Sequence, residues 1–397
     1  MDAYASFRYR DYRLLVAGNF LSSLGFQMLS VAAGWDLYQQ TKSAVVLGNV
    51  GFAQVAPFLL FALFAGHYAD THDRRKILTF TQMLFVSASL LLTLSGLSVY
   101  LIYGCLFLTA TARTFQGPAR SAMIPNAVPP ELLRNAITWA TSAHEIASVT
   151  GPAVAGIVLA YSGSKAVYLA QGVCALASFV CFYMVKPKPQ IAPQAQTLTV
   201  RSLLKGVRFV WRNKLILSTM SLDMFAVLFG GATTLLPIFA VEILGTDARG
   251  LGWLRAAPSI GAMIMALTLT HAFRIERAGR ALLLAVAAFG VATIVFAISR
   301  SLWLSFASLV LAGAFDNISV VLRHSLIQTE TPDYVRGRVL AVNNIFINCS
   351  NQLGAVESGW AAALLGTVPS VVFGGVATIA IVVTFALRFR QLRHWRH

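Results

Sequence analysis

Apolar runs of roughly twenty residues, the length that crosses a bilayer, alternate along the chain with short charged stretches. They predict helices at about 14–38, 45–68, 77–97, 99–119, 134–160, 166–185, 215–241, 250–272, 281–298, 302–325, 336–365 and 369–388. The break near Ser98 is the weakest, because no charge marks it. The longest polar stretch, KPKPQIAPQAQT from Lys186, has three prolines and no apolar run, so it reads as a linker. The expected organisation is an all-α membrane protein of twelve transmembrane helices. Residues 1–185 would form one six-helix bundle, 186–213 a cytoplasmic linker and 214–397 a second bundle. Just after the prolines, RSLLKGVRFVWRNK puts Leu204, Val207, Val210 and Trp211 near one face, with Arg and Lys opposite. It is either an interfacial helix on the inner leaflet or an extension of the seventh span.

Basic residues test this map. The termini and the loops facing the same side as the termini hold 25 Lys and Arg, including Arg74, Arg75, Arg120, Arg274 and Arg323; the other side holds Lys42, Lys165, Arg249 and Arg300. Such a skew fixes the 25-rich side as cytoplasmic, with both termini there. Arg113 and Arg255 fall within spans.

Composition agrees. Hydrophobic residues are 57% of the 397 and charged residues 12%, too few charges to cover a soluble protein of this size. The net charge of +16 would suggest nucleic acid in a soluble chain, but here it sits between spans, so no nucleic-acid partner is expected. The start, MDAYASFRYRDYRLL, lacks the pattern of a cleavable signal, which leaves the first helix as the insertion signal. Cys105, Cys174, Cys181 and Cys349 lie in apolar stretches without metal-ligand spacing, so neither disulfide nor metal is expected. No nucleophile–base–orienter set and no P-loop appears; the chain reads as a non-enzyme without a cofactor and without ATP as its driver.

The two halves repeat. FRYRDYRLL from Phe7 matches FVWRNKLIL from Phe209 at a shift of 202, VAP ending at Pro57 matches AAP ending at Pro258 at 201, and PPELLRNA from Pro129 matches TPDYVRGR from Thr331 at 202. Two six-helix halves in equal orientation form a parallel repeat, which places a substrate site between them near mid-membrane.

Ionisable groups inside spans usually face a bundle interior or a water-filled cavity. Here they are Asp36, Arg113, His144, Glu145, Asp223, Arg255, Asp316 and Glu357. Helical phase groups Thr219, Asp223, Ala226, Gly230, Thr233 and Pro237 in the seventh span, and Ser305, Ser308, Ala312, Asp316, Ser319 and Arg323 in the tenth. Thr109, Arg113, Gln116 and Arg120 align in the fourth; Asn19, Ser22, Ser23 and Ser30 in the first; Asn344, Asn348 and Asn351 in the eleventh. The first and seventh spans are repeat mates, as are the fourth and tenth, and a cavity lined by all four would explain the symmetry. Asp36 and Arg255 lie near span ends and read as snorkelling. Glu357 is off the asparagine face and near the outside. His144 suits a hydrogen bond better than a metal. The asparagines suit interhelical bonding and substrate contact equally. Arg113, Gln116, Glu145, Asp223, Asp316 and the three asparagines are the candidate substrate and proton pathway, with a structural ion pair between Arg113 and an acid as the rival. A buried carboxylate takes up a proton more readily, and one charge moved through ~100 mV releases about 2.3 kcal/mol.

Four segments resemble the major facilitator superfamily over the whole chain, most closely its branch of enterobactin exporters and macrolide-efflux proteins. GHYADTHDRRK matches the loop signature at Gly66, Asp70, Arg74, Arg75 and Lys76, while Thr71 replaces a usual basic residue and Asp73 a usual glycine. RTFQGPARSA matches at Arg113, Gln116 and Gly117; TGPAVAG matches an antiporter pattern at Gly151, Pro152 and Gly156. The pair PPELLRNA and TPDYVRGRV is typical of the branch. The resemblance implies the major facilitator fold, with Gly66, Asp70, Arg74 and Arg75 as a latch, Gly66 allowing close helix packing, Arg113 tied to proton transfer, and Gly151 and Pro152 at a sliding interface. It further implies a monomeric inner-membrane secondary transporter working by alternating access, a proton-coupled exporter of an amphipathic drug-like or siderophore-like solute. An importer of a metabolite or iron chelate, a lysophospholipid flippase and a non-transporting scaffold or receptor are the alternatives.

Overall fold

A computed structural model describes residues 4–94, 98–186, 200–271 and 277–395. The linker prolines, the turn before Ser98 and Arg274 lie outside the described residues. The helices are α1 (Arg10–Thr41), α2 (Ala44–Thr71), α3 (Arg74–Leu94), α4 (Val99–Ala127), α5 (Leu133–Tyr183), α6 (Val200–Arg212), α7 (Lys214–Gly230), α8 (Leu236–Ile238), α9 (Ala248–His271), α10 (Ala278–Ile298), α11 (Leu302–Glu330), α12 (Asp333–Leu365), α13 (Thr367–Arg388) and α14 (Arg390–His394). Two spans share α5, which breaks at Gly163 with φ 76° and ψ 176°. α7 runs on through a 3-10 turn, α8 and a π turn ending at Ile243, as one span. Counted this way the described helices make twelve spans. Among the described residues nine stretches satisfy length and hydropathy alone, with α5 counted once. α4 and α12 fail that test because they carry the arginines and asparagines that make them interesting.

The turns explain several boundaries. Gly163 and Gly366, with φ 76° and 92° and ψ 176° and 156°, sit in a region that glycine alone adopts readily. Ser98 caps α4 by accepting from Leu101 N at 3.2 Å, so a hydroxyl marks the break that no charge marks. Asn213 caps α7 through Leu215 N and Ile216 N, both at 3.1 Å. The amphipathic stretch is therefore a separate helix, α6, and not an extension of the seventh span. Its expected single apolar face divides. Val210 is buried with Ile216, Met220, Ile327, Val339 and Val342, and Val207 packs on the same cluster. Leu204 and Trp211 are exposed, 59% and 68%, and suit an interface with lipid head groups.

The chain divides by packing into two units. The first comprises residues 1–40 and 53–198, the second 41–52 and 199–397. The start of α2 thus packs with the second unit, against α12, where small residues let backbones approach. A Cβ at Gly48 would lie 2.9 Å from the Gly359 Cα, and Trp360 Nε1 donates to Asn49 Oδ1 at 3.1 Å. Inside the first unit Ser89 Oγ donates to the Tyr168 carbonyl at 2.6 Å and Ser178 Oγ to the Gly18 carbonyl at 2.8 Å. In the second, α9 and α11 cross where Gly261 meets the Val310 carbonyl and Gly313 meets that of Pro258.

Three expectations need correction. Asp36 does not snorkel; it is 8% exposed and accepts from Tyr168 Oη at 2.7 Å. Arg255 is half-buried, as a snorkelling side chain would be, with its Nε shielded and without a hydrogen-bond partner among the described residues. Arg120 and Arg323 are not loop charges, because α4 and α11 continue past them to Ala127 and Glu330. The charge tally loses two residues and stays strongly skewed.

Candidate functional site

The first unit holds a cavity of about 260 Å³, lined by Ser22, Ser23, Phe26 and Gln27 of α1, Phe85 of α3, Arg113, Gln116, Gly117 and Arg120 of α4, and His144 of α5. Arg113, Gln116 and Arg120 recur at helical spacing, so one face of α4 supplies all three. Ser22 is the shared acceptor on the opposite wall, receiving Gln82 Nε2 at 3.1 Å and Gln116 Nε2 at 3.0 Å. Ser23 Oγ meets His144 Nδ1 at 3.1 Å, the hydrogen bond expected for this histidine. The Arg113 guanidinium lies over the Phe26 ring, 3.9 Å from its centroid. Among the described residues no carboxylate pairs with Arg113 or Arg120. The rival pairing of Arg113 with an acid is therefore absent. Glu145 is half-buried, has no partner among the described residues and is not on the cavity wall.

The second unit holds a cavity of about 220 Å³ between α7, α9, α10 and α11. It is mostly apolar, with Thr233, Thr293, Asp316 and Asn351 of α12 as its polar wall. Asp316 has no hydrogen-bond or ion-pair partner among the described residues. Asp223 sits apart from this cavity. It is buried, accepts from Ser319 Oγ at 3.3 Å, and forms an ion pair with Arg323 Nη1. Asn344, Asn348 and Asn351 are exposed. Asn348 and Asn351 donate to carbonyls of their own helix at 2.8 and 2.9 Å, and so they do not tie helices together. The buried partner on α12 is Asn343, 3.4 Å from His324 Nε2, which the stripe of its neighbours conceals in the sequence.

The loop residues have local roles. Arg74 donates to the Ala69 carbonyl at 3.2 Å and the Ala122 carbonyl at 3.1 Å, tying the end of α2 to α4. Arg75 stacks on Tyr183 at 4.8 Å. Asp73, standing where the pattern has glycine, caps α3 by accepting from Arg75 N at 2.9 Å. Within its own unit Asp70 has no described partner. A Cβ on Gly66 would meet nothing within 4 Å, so close packing does not require this glycine. Gly151 does need its smallness, since a Cβ would fall 2.6 Å from Gln27 Cβ. Pro152 beside it is buried within α5.

A twelve-span helical protein with a half-buried carboxylate or arginines on its cavity walls defines a secondary membrane transporter of the major facilitator fold. The chain belongs to the family of major facilitator proteins described as transmembrane secretion effectors, whose model matches residues 1–397. It is 26% identical over 389 residues to a staphyloferrin A transporter of Staphylococcus aureus, covering 95% of this chain and 96% of that one. It is 24% identical over 391 residues to the enterobactin exporter EntS of Escherichia coli K12, covering 97% and 93%. Its fold matches a bacterial homologue of the lysosomal transporter Spinster with a TM-score of 0.77 at 15% identity, covering 98% of both chains. It also matches the POT family transporter PepTSo with a TM-score of 0.75 at 12% identity, covering 96% and 98%.

Proposed function

We propose that this protein is a proton-coupled exporter that works by alternating access in the inner membrane, with both termini cytoplasmic. Its cargo is an amphipathic organic solute of the siderophore or drug type. The observation that carries the coupling is Asp316, a carboxylate without a described partner on the wall of a mostly apolar cavity. A carboxylate in such surroundings exchanges its proton as access to water changes. Asp223, already neutralised by Arg323, is the weaker carrier. The named cargo of the curated relatives supports the siderophore class, and the skew of basic residues supports the orientation. Gly66, Asp70, Arg74, Arg75, Gly151 and Pro152 remain the proposed gating set.

The test is flux in proteoliposomes with an imposed proton gradient. Expected is uptake of a siderophore or dye into inside-out vesicles that stops when the gradient is collapsed and in Asp316→Asn. Flux unchanged without a gradient would overturn the coupling. Accumulation only in right-side-out vesicles would favour an importer, and transfer of labelled lysophospholipid between leaflets a flippase.

A further inference from the structure

The repeat relates the two polar stripes residue by residue. α4 and α11 begin at Val99 and Leu302 and end at Ala127 and Glu330, a constant offset of 203. At that offset Arg113, Gln116 and Arg120 correspond to Asp316, Ser319 and Arg323. On the facing helices Asp223 lies one residue from the position that the 202 shift of the helix starts gives Ser22, and it takes the same place as acceptor. The hydrogen bonds follow the correspondence. Gln116 donates to Ser22 in the first unit, and Ser319 donates to Asp223 in the second. One turn further on, Arg323 finds the Asp223 carboxylate. Arg120 stands at the same place, where the facing residue is a serine with no charge to offer.

The first unit therefore holds the framework of a buried ion pair without its acid, and adds a second arginine where the other unit has Asp316. Two guanidiniums on one cavity wall repel each other and carry a desolvation cost that no described carboxylate offsets. We infer that the cavity bounded by Arg113, Gln116, Arg120, Ser23 and His144 is a binding site for an anionic group, the carboxylate-bearing end of a larger organic solute. The Phe26 ring holds the Arg113 guanidinium over its face, and the N–H groups, which have no described hydrogen-bond partner, are available for a forked pair with a carboxylate. The neutral donors beside the arginines suit the remaining oxygens. The volume, about 260 Å³, is just below the usual range for ligand sites and fits a head group, not a whole drug-sized molecule. The inference rests on the transport reading for the direction in which the anion would leave, but the site stands without it.

The experiment titrates citrate, as a simple tricarboxylate, into the purified full-length protein and reads thermal stability and calorimetric heat. Expected is saturable stabilisation that weakens with salt, is absent for trimethyl citrate, and falls about tenfold or more in Arg113→Gln and in Arg120→Gln. Arg120→Gln should also leave the ligand-free protein at least as stable as before, because no partner is orphaned. That result would separate a binding arginine from a structural one. Equal binding by citrate and its ester, or undiminished binding in the double arginine variant, would overturn the site. So would lowered ligand-free stability in Arg120→Gln, or displacement of citrate by phosphatidylglycerol in nanodiscs, which would assign the arginines to a lipid head group. Gradient-driven flux of neutral amphiphiles without citrate binding would sink the site and leave the exporter; citrate binding without any flux would do the reverse.

Discussion

Asp223 of α7 and Arg323 of α11 form an ion pair within the second unit, both side chains almost wholly shielded and braced by Ser319 Oγ. Breaking a buried pair from one side leaves a bare charge, at a cost of about 3–5 kcal/mol. Arg323→Met should therefore destabilise the protein strongly in mixed-micelle denaturation. Adding Asp223→Leu should recover most of the loss, since the apolar pair removes both charges together. If the double variant is as unstable as the sum of the singles, the pair is not what holds α7 to α11. Transport defects in Asp223 variants need this correction before they are read as coupling.

Tyr168 and Asp36 make the corresponding test in the first unit. Tyr168→Phe removes the phenolic donor and leaves a buried carboxylate short of one hydrogen bond, which costs about 1–3 kcal/mol. Tyr168→Phe in an Asp36→Ala background should cost much less. The double-mutant cycle is read by thermal denaturation, and additivity of the two changes would mean that the 2.7 Å contact contributes nothing.

Helix positions are legible in the sequence because apolar length is a local property, and stripes such as Arg113, Gln116 and Arg120 are legible because helical phase is too. Pairing is not. Arg323 lies near the end of its predicted span, where a cation ordinarily snorkels, and only the packing of α7 on α11 brings it to a residue 100 positions earlier. The burial of Asp36 is hidden for the same reason, its partner being 132 residues away. The absence of an acid beside Arg113 is equally non-local. A charge on a stripe shows that something polar faces it, and tertiary structure decides whether that is an acid, a serine or a solute.

Gly163 and Gly66 separate two uses of glycine. At neither position would an added Cβ meet another atom within 4 Å, so sterics between helices predict no difference. Their backbones differ. Gly163 has φ 76° and ψ 176°, a conformation that costs other residues about 1–3 kcal/mol, while Gly66 is ordinary helix. Gly163→Ala should lower stability by that amount. Gly66→Ala should be neutral or slightly stabilising, since alanine favours helix by about 1 kcal/mol. Thermal melts of both variants in one detergent check this, and a loss at Gly66 equal to that at Gly163 would show that Gly66 packs in some other state.

The contact between the start of α2 and α12 can be probed by size. A Cβ at Gly48 would stand 2.9 Å from the Gly359 Cα and 3.1 Å from the Ala355 carbonyl, and backbone atoms cannot swing away as side chains do. Gly48→Val must push α2 off α12, so overpacking should cost about 1–3 kcal/mol and lengthen the Trp360–Asn49 hydrogen bond beyond its 3.1 Å. Trp360→Phe removes only that bond, worth about 1 kcal/mol, and keeps the helices together. The expected order of stability is therefore wild type, then Trp360→Phe, then Gly48→Val. In the Gly48→Val background Trp360→Phe should add little, because the bond is already lost. Indole fluorescence with denaturation reads the series in the Trp360-containing proteins, and calorimetry in the others. Full additivity of the two substitutions would mean that α2 accommodates the valine without moving.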